Sequence, residues 1–364
     1  MPNSRPLVLI TGAAGYLGRA ITDALSERYR VVGLDMATGS APCPMFMTDF
    51  SDAGSITAAL NSVRDQFGEQ VASVIHLAAY FDPSGEDNPL YQSVNVEGTR
   101  NLLRALEIFD VEQFIYASTM LVHAAGKPGQ SLNEHQPLAP AYIYPRSKWA
   151  AEEVLRTDQG GIPYLILRLA GVYDETRVVP TMAQQIARIR ARDLQSHLYA
   201  GSPLTGQSAL HKEDMVDALV RTVDRRGALP SGTAILVGES EPMSYGALQH
   251  ELACLIHGEN DWLTLSLPRH LAAVGAWGLA KLEPLLPDTI DGGEPPAVRP
   301  YMALMGDAHY ALDTRRAKAL LGWTSHHRLR DALPGIVQSL QRDPAAWYKR
   351  HGLTPHTRQA AKQA

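Results

Sequence analysis

The feature that most constrains this chain lies near its start, where Leu7, Val8, Leu9 and Ile10 lead into Thr11, Gly12, Ala13, Ala14, Gly15, Tyr16, Leu17 and Gly18. An uninterrupted apolar run suits a strand covered on both faces, and glycines three apart suit a turn from that strand into a helix. In such a turn Gly12 permits the tight reversal, Gly15 lets the backbone approach a pyrophosphate, and Gly18 lets the helix pack closely. The helix N-terminus attracts the negative charge. The spacing is GxxGxxG rather than GxGxxG, and glycine-rich turns also serve as plain connections, so the context has to decide. A second apolar run over 30–34 ends in Asp35. That is close to the position, about 20 residues on, where a carboxylate accepts hydrogen bonds from an adenosine ribose. Together the two features predict a dinucleotide site. A carboxylate there repels a 2′-phosphate and no arginine follows in 36–39, so NAD is expected over NADP.

The chain has 364 residues, enough for two units or one large elaborated one. Lys and Arg number 33 against 38 Asp and Glu, a formal net charge of −5, and no long basic run occurs. Nucleic acid is therefore not an expected partner, and a small molecule is. Cys43 and Cys254 are the two cysteines, no CxxC is present, and the first residues carry no signal-peptide apolar core. A reducing, cytoplasmic setting is expected. Without HxxxH or HxH, no metal site is expected.

Strand-like runs at 7–10, 30–35, 44–50, 71–79, 113–118, 164–168 and 233–237 alternate with helix-like stretches at 19–27, 55–67, 91–109, 141–156 and 181–192. The alternation predicts an α/β fold, a Rossmann-like doubly wound parallel sheet of about seven strands with a smaller, mostly helical C-terminal substrate domain. The expected boundaries are 1–170 for dinucleotide binding, with 207–237 returning to it. Residues 171–206 and 238–353 form the substrate domain and lid, and 354–364 a flexible tail. Within 91–109, Asn95 and Gly98 interrupt the apolar pattern, a local inconsistency that marks a packing or functional requirement.

Tyr144 and Lys148 are four apart in a helix-like stretch, so they project from one face one turn apart. The ammonium would favour the phenolate, letting the phenol exchange a proton with a substrate hydroxyl or carbonyl. The preceding strand ends in Ala117, Ser118 and Thr119, which offer hydroxyls where an oxygen must be held.

With these residues the chain resembles the extended short-chain dehydrogenase/reductases, the NAD-dependent epimerase/dehydratase family. The glycine turn, Asp35, Asp49, His76 to Ala79, Asn95 to Thr99, Ser118 and Thr119, Tyr144 to Lys148, Arg168 to Tyr173 and His211 to Asp214 carry the likeness. The resemblance implies Thr119, Tyr144 and Lys148 as catalytic residues and NAD as cofactor. It places Tyr16 and Leu17 in the turn, Asp49 and Phe50 beside the adenine, Leu77, Ala78, Ala79 and Val172 along the cofactor, and Asn95 behind its ribose. It also implies a homodimer through 91–109 and 141–156. Departures narrow the substrate. Gly171 stands where sugar-nucleotide members carry Asn, 205–210 has no arginine for phosphates, and Met120-Leu121 replaces an acidic pair needed for dehydration. His123, where many relatives have Tyr, is expected as a packed polar core residue.

Within the stretch 267–287 the uninterrupted apolar run, Leu271 to Ala280, is too short to span a membrane, and the stretch is similar to that of sterol-dehydrogenase-like members. The expectation is a small lipophilic alcohol or ketone held between this stretch and Tyr80, Met120 and Tyr144 near Gly171, with peripheral membrane contact through Trp277. A plain buried helix is the equal alternative for that stretch. Alternatives for the whole chain are a sugar-nucleotide epimerase with tightly bound NAD and an NAD-sensing binding module.

Overall fold

The computed structural model describes residues 5–39, 42–192, 194–268 and 305–354. Seven strands, β1 (Leu7–Thr11), β2 (Arg30–Asp35), β3 (Met45–Met47), β4 (Ser73–His76), β5 (Phe114–Thr119), β6 (Tyr164–Leu169) and β7 (Thr233–Val237), form one parallel sheet. Their order is β7-β6-β5-β4-β1-β2-β3. Ile10 of β1 lies opposite Gly33 and Ile75. Strands β1, β4, β5 and β6 are buried at every position, which is why each reads as a continuous apolar run. The strand order reverses between β1 and β4, and in open parallel sheets the crevice at that point, outside the carboxyl ends of the strands, takes the ligand.

Ten helices occur among the described residues: α1 (Tyr16–Leu25), α2 (Ala53–Phe67), α3 (Gly98–Ala105), α4 (Ile143–Asp158), α5 (Pro180–Ala191), α6 (Lys212–Asp224), α7 (Tyr245–His257), α8 (Arg315–Leu321), α9 (Leu329–Arg342) and α10 (Pro344–Arg350). The caps explain several starts. Asp52 accepts from the amides of Gly54 and Ser55 before α2, and Ser244 accepts from Ala247 before α7.

Two elements differ from the sequence expectation. The strand expected over 71–79 leaves the sheet after His76, and the chain runs on as an extended wall. The helix expected over 91–109 opens as a π-helical turn, Tyr91–Glu97, continues as α3 and ends in a 3₁₀ turn, Leu106–Ile108. Gly98 sits at the junction because a Cβ there would lie 2.5 Å from the carbonyl oxygen of Phe50.

One face of the sheet is filled by Val8, Ile10, Ile115 and Leu167 with α1 and α6, the other by Leu7, Leu9, Val74 and Phe114 with α2, α3 and α4. A third core joins Tyr173 and α5 to α7, α9 and Trp347. The segment 305–323, expected in the substrate domain, packs partly with the sheet instead. Tyr310, Leu312, Ala317, Leu321 and Trp323 join the first core, where α8 covers β7. The apolar stretch expected over 267–287 lies outside the described residues beyond Pro268, as does Trp277. Among the described residues no helix is long and apolar enough to cross a membrane.

Candidate active site

The glycine turn is built from its own backbone. Gly12 takes φ +72°, its amide donates to the Leu34 carbonyl of β2 at 2.8 Å, and the Gly15 amide donates to the Gly12 carbonyl at 3.1 Å and closes the turn after β1. A Cβ on Gly18 would fall 2.2 Å from the Gly12 oxygen, so the first turn of α1 rests directly on the strand–helix turn rather than on the sheet. Gly15 stands at the N-cap of α1 without a side-chain hydrogen bond, leaving the first amides of the helix for an anion. Asp35 accepts from the amides of Ala14 at 3.0 Å and Ala37 at 3.1 Å, which fixes its carboxylate beside the turn.

Tyr16 faces away from this role. Its hydroxyl donates to Asp174, and its ring lies 4.9 Å from both Arg177 and Lys212. Burial and that carboxylate push the phenol upward. Burial would raise Asp174 in turn, but bonds from Lys212 and Tyr16 outweigh it and hold the carboxyl well below its usual range. Asp49 accepts from the amide and hydroxyl of Ser51, which lowers its pKa. The Phe50 ring is buried in the core against His76, 5.6 Å away.

The wall after β4 is held by a buried relay. Thr11 Oγ1 accepts from the amides of Leu77 and Ala78 at 3.1 and 3.0 Å and meets His76 Nδ1 at 2.7 Å. His76 Nε2 meets Thr99, whose hydroxyl donates to the Asn95 carbonyl. Burial drives the His76 imidazole down to about 3, so it stays neutral in this chain of hydrogen bonds. Asn95 accepts from the Tyr80 amide at 2.6 Å and donates to the Tyr80 carbonyl and to Ser147 Oγ, which donates to the Tyr144 carbonyl. Both amide hydrogens of Asn95 are thus used, and the residue is 1% exposed. It acts behind the site, pinning the wall to α4.

Along that wall, Leu77, Ala79 and Phe81 line the cavity, the period of two expected of extended backbone. Tyr80 was expected there. Its ring instead packs edge-on against Tyr91 at 4.9 Å, and Phe81 meets Tyr144 edge-on at 4.9 Å. The alternation from Leu77 was the signal for Phe81. Ala78 is likewise out of phase and does not line the cavity, its amide donating to Thr11 Oγ1.

Thr119, Tyr144 and Lys148 come together on one cavity of about 410 Å³. The Thr119 oxygen accepts from the Leu121 amide at 3.3 Å, which leaves its hydroxyl hydrogen to donate to a ligand. Lys148 is 3% exposed, with its ammonium 4.6 Å from the centre of the Tyr116 ring. Burial pulls it down to about 7, against the opposing pull of Glu152. Burial also pushes the Tyr144 phenol up to about 12. In the chain by itself, the expected lowering of Tyr144 is therefore outweighed by desolvation.

Next to Lys148, Glu152 accepts from Nη2 and Nε of Arg168, at 2.6 and 3.1 Å, and from the Ser118 hydroxyl at 2.6 Å. Arg168 donates to His123 Nε2 at 2.9 Å, and His123 Nδ1 lies 3.1 Å from the Gln136 carbonyl. Accepting at Nε2 fixes the proton on Nδ1. Burial and Arg168 bring this imidazole down to about 4, a neutral packed core residue.

Leu17, Met120, Gly171 and Val172 also line the cavity, as do Val179, Met182, Met243 and Leu248. A Cβ on Gly171 would meet Val179 at 2.9 Å, so the glycine serves close packing. Gln185 and Ser208 line it too and were not singled out from sequence. Gln185 follows Met182 by three on the inward face of α5, which is the helical signal for it.

The residues fit a dinucleotide: an uncapped helix start behind a glycine turn, a carboxylate at the end of β2, and a buried lysine at the cavity. His211, Glu213 and His327 place ligating atoms within 4.8 Å of one another. The two imidazoles stack at 4.1 Å, so their in-plane lone pairs run side by side, and His211 Nδ1 accepts from the Glu213 amide.

The chain is 32% identical over 182 residues to the putative UDP-glucose 4-epimerase of Methanocaldococcus jannaschii, covering 46% of this chain and 57% of that protein. It is thus matched to little more than half the length of that relative. With 3 beta-hydroxysteroid dehydrogenase type 7 of Mus musculus it shares 26% over 351 residues, 86% of this chain and 90% of that one. The Thermus thermophilus UDP-glucose 4-epimerase, solved with NAD, has a TM-score of 0.67 at 22% identity, covering 92% of this chain and 99% of that one. The model of the NAD dependent epimerase/dehydratase family matches residues 8–238, and the chain belongs to that family.

Proposed function

We propose that the protein is an NAD-dependent alcohol dehydrogenase or carbonyl reductase acting on a small lipophilic alcohol or ketone. The observation that carries this is the meeting of Thr119, Tyr144 and Lys148 on one cavity whose other walls are mainly apolar. Bound NAD supplies the hydride acceptor or donor. The Thr119 hydroxyl donates to the substrate oxygen and orients it. The Tyr144 phenol exchanges the proton with that oxygen, and the charge of Lys148 favours the phenolate. The apolar walls exclude water. The substrate class rests on Met120, Val179, Met182 and Leu248 in the wall and on Gly171 in place of a polar side chain.

The test is a screen of apolar alcohols and ketones with NADH absorbance as the readout. Tyr144→Phe should lower turnover at least about 100-fold while leaving NAD affinity within about threefold, as loss of a proton-transfer group does. A variant that keeps most of its activity refutes the mechanism.

The epimerase likeness supports a second reading, transient oxidation of a sugar nucleotide with a retained cofactor. Protein that holds NAD through dialysis and forms no net NADH would favour it. Exposed Trp149 on α4 and Ile108 after α3 support a homodimer through these helices, and light scattering that gives a monomer would refute it.

A further inference from the structure

Lys148 sits where a charge is costly. It lines the cavity, it is 3% exposed, and burial opposes its protonation. Among the described residues its ammonium makes neither a hydrogen bond nor an ion pair. The carboxylate one turn further along α4, Glu152, is engaged elsewhere: by Nη2 and Nε of Arg168 at 2.6 and 3.1 Å, by the Ser118 hydroxyl at 2.6 Å and by Arg156 at 3.3 Å.

What the ammonium does meet is a ring. Its nitrogen lies over the face of Tyr116 on β5, 4.6 Å from the ring centre. Tyr116 is buried and is not part of the cavity lining, so it backs the lysine from the sheet side. Its hydroxyl has no hydrogen-bond partner among the described residues, and burial raises the phenol well above its ordinary range, so the ring stays neutral. The face of an aromatic ring is the negative end of its quadrupole, and its pull on a cation grows when both are out of water.

The surrounding groups leave that pull uncontested. His76 on β4 lies 5.8 Å from the Tyr116 ring and is neutral. The π-helical turn packed on α4 brings the Asn95 amide and the Tyr91 phenol, the latter raised by burial. On α3, Arg100 is tied to Glu97 and to Asp158 at the far end of α4. Arg168 on β6 is taken by Glu152, and Tyr144 on α4 itself is a neutral phenol. Glu152 acts in the same direction as the ring and favours the ammonium.

Building on the role given to Lys148 in the proposed activity, we infer that Tyr116 is a positioning residue: the face of its ring seats the Lys148 ammonium and keeps this buried lysine a cation one helical turn from Tyr144, where the charge favours the phenolate.

Carbon-13 NMR of the full-length protein labelled at lysine Cε follows the titration of Lys148 directly, its resonance being identified by its loss in Lys148→Arg. Tyr116 is replaced by Phe, by Leu and, through amber suppression, by mono-, di- and trifluorinated phenylalanine, which keep the shape of the ring while draining its face. Tyr116→Phe should leave the midpoint within about 0.3 pH unit, and Tyr116→Leu should lower it by at least about one pH unit. The fluorinated rings should lower it stepwise with each fluorine, a trend that a ring serving only as packing does not produce. The same order is expected with NADH bound. Tyr116→Phe removes only an unpaired hydroxyl and the fluorinated rings hold the packing, so the series stands even where Tyr116→Leu unfolds, and melting temperatures are read on each. On a substrate found by the screen, kcat at neutral pH should fall in the same order while KM holds. A midpoint that fluorination does not move, a Phe variant that falls as far as the Leu variant, or a kcat that ignores the order overturns the inference. Absence of turnover in the wild type defeats the redox activity alone, since the titration still decides the role of Tyr116.

Discussion

Gly18 shows how little room the turn leaves at a single residue. The Gly12 oxygen and the backbone of Ala13 both lie inside the contact distance of any Cβ placed on it, and neither is a flexible side-chain end that can swing away. Gly18→Ala should therefore displace the start of α1. The expected outcome is at least a tenfold loss of NADH affinity, read by fluorescence titration, together with a lower melting temperature. Gly15 is different, since only the Gly12 oxygen comes near its Cβ direction, at 3.2 Å. Gly15→Ala should cost affinity with a much smaller change in stability, because the methyl would stand where the anion approaches. Sequence made these glycines visible as a set, since their spacing is local. It could not assign Gly18 to the turn rather than to the sheet, because the collision involves the backbone carbonyl direction of Gly12, which depends on its positive φ.

At the scale of elements, Asn95 joins three of them: the π-helical turn, the extended wall after β4, and α4. Asn95→Ala removes the hydrogen bonds to both backbone groups of Tyr80 and to Ser147. At roughly 1 kcal/mol for each net hydrogen bond, and more for the buried groups orphaned, the loss is about 3 kcal/mol. Chemical denaturation should register it. Turnover should fall as well, because Phe81 and Tyr144 lose the tie that sets their spacing, whereas the affinity for the adenine half of the cofactor should hardly change. Asn95 was legible as an anomaly inside an apolar helix pattern. Its partners were not, because Tyr80 and Ser147 meet it through the fold. The strands were legible for the reason that they are buried on both faces, and Thr119, Tyr144 and Lys148 because one helical turn and one strand end carry them. The phase of the wall was misjudged at Tyr80, where two adjacent aromatics point to opposite sides and only the extended backbone decides which side faces the cavity. The placement of α8 against β7 was also unreadable, since a short apolar helix has the same pattern whichever core it joins.

Across the whole molecule, Glu239 links the helical core to the sheet side. It accepts from the Tyr173 hydroxyl and the Leu329 amide, both at 3.1 Å, while its own amide bonds the Ala209 carbonyl at 2.8 Å. Burial pushes its carboxyl up to about 7 against the lowering effect of those donors. A raised carboxyl binds its proton more tightly in the folded state, so its contribution is present in full below the unfolded value, near 4.3. It is lost as pH rises through about 7. Glu239→Gln removes that titration. The stability difference, variant minus wild type, should therefore rise between pH 4.5 and 8 by up to about 3 kcal/mol. Thermal unfolding of both proteins across that range checks the sign, and a difference that is flat or falls with pH refutes the assignment.

The arrival of β7 has a consequence for how the chain is made. β7 completes the sheet beside β6, but it is synthesised only after the whole excursion between Leu169 and Thr233. Until then β6 is the outer strand of the growing sheet, with Leu165, Ile166 and Leu167 in sequence and a row of backbone groups open to another chain. A ribosome that stalls anywhere in that excursion releases a product with a sticky margin, prone to pair with its neighbours. Truncation just before Thr233 should therefore yield aggregates rather than a smaller soluble fold.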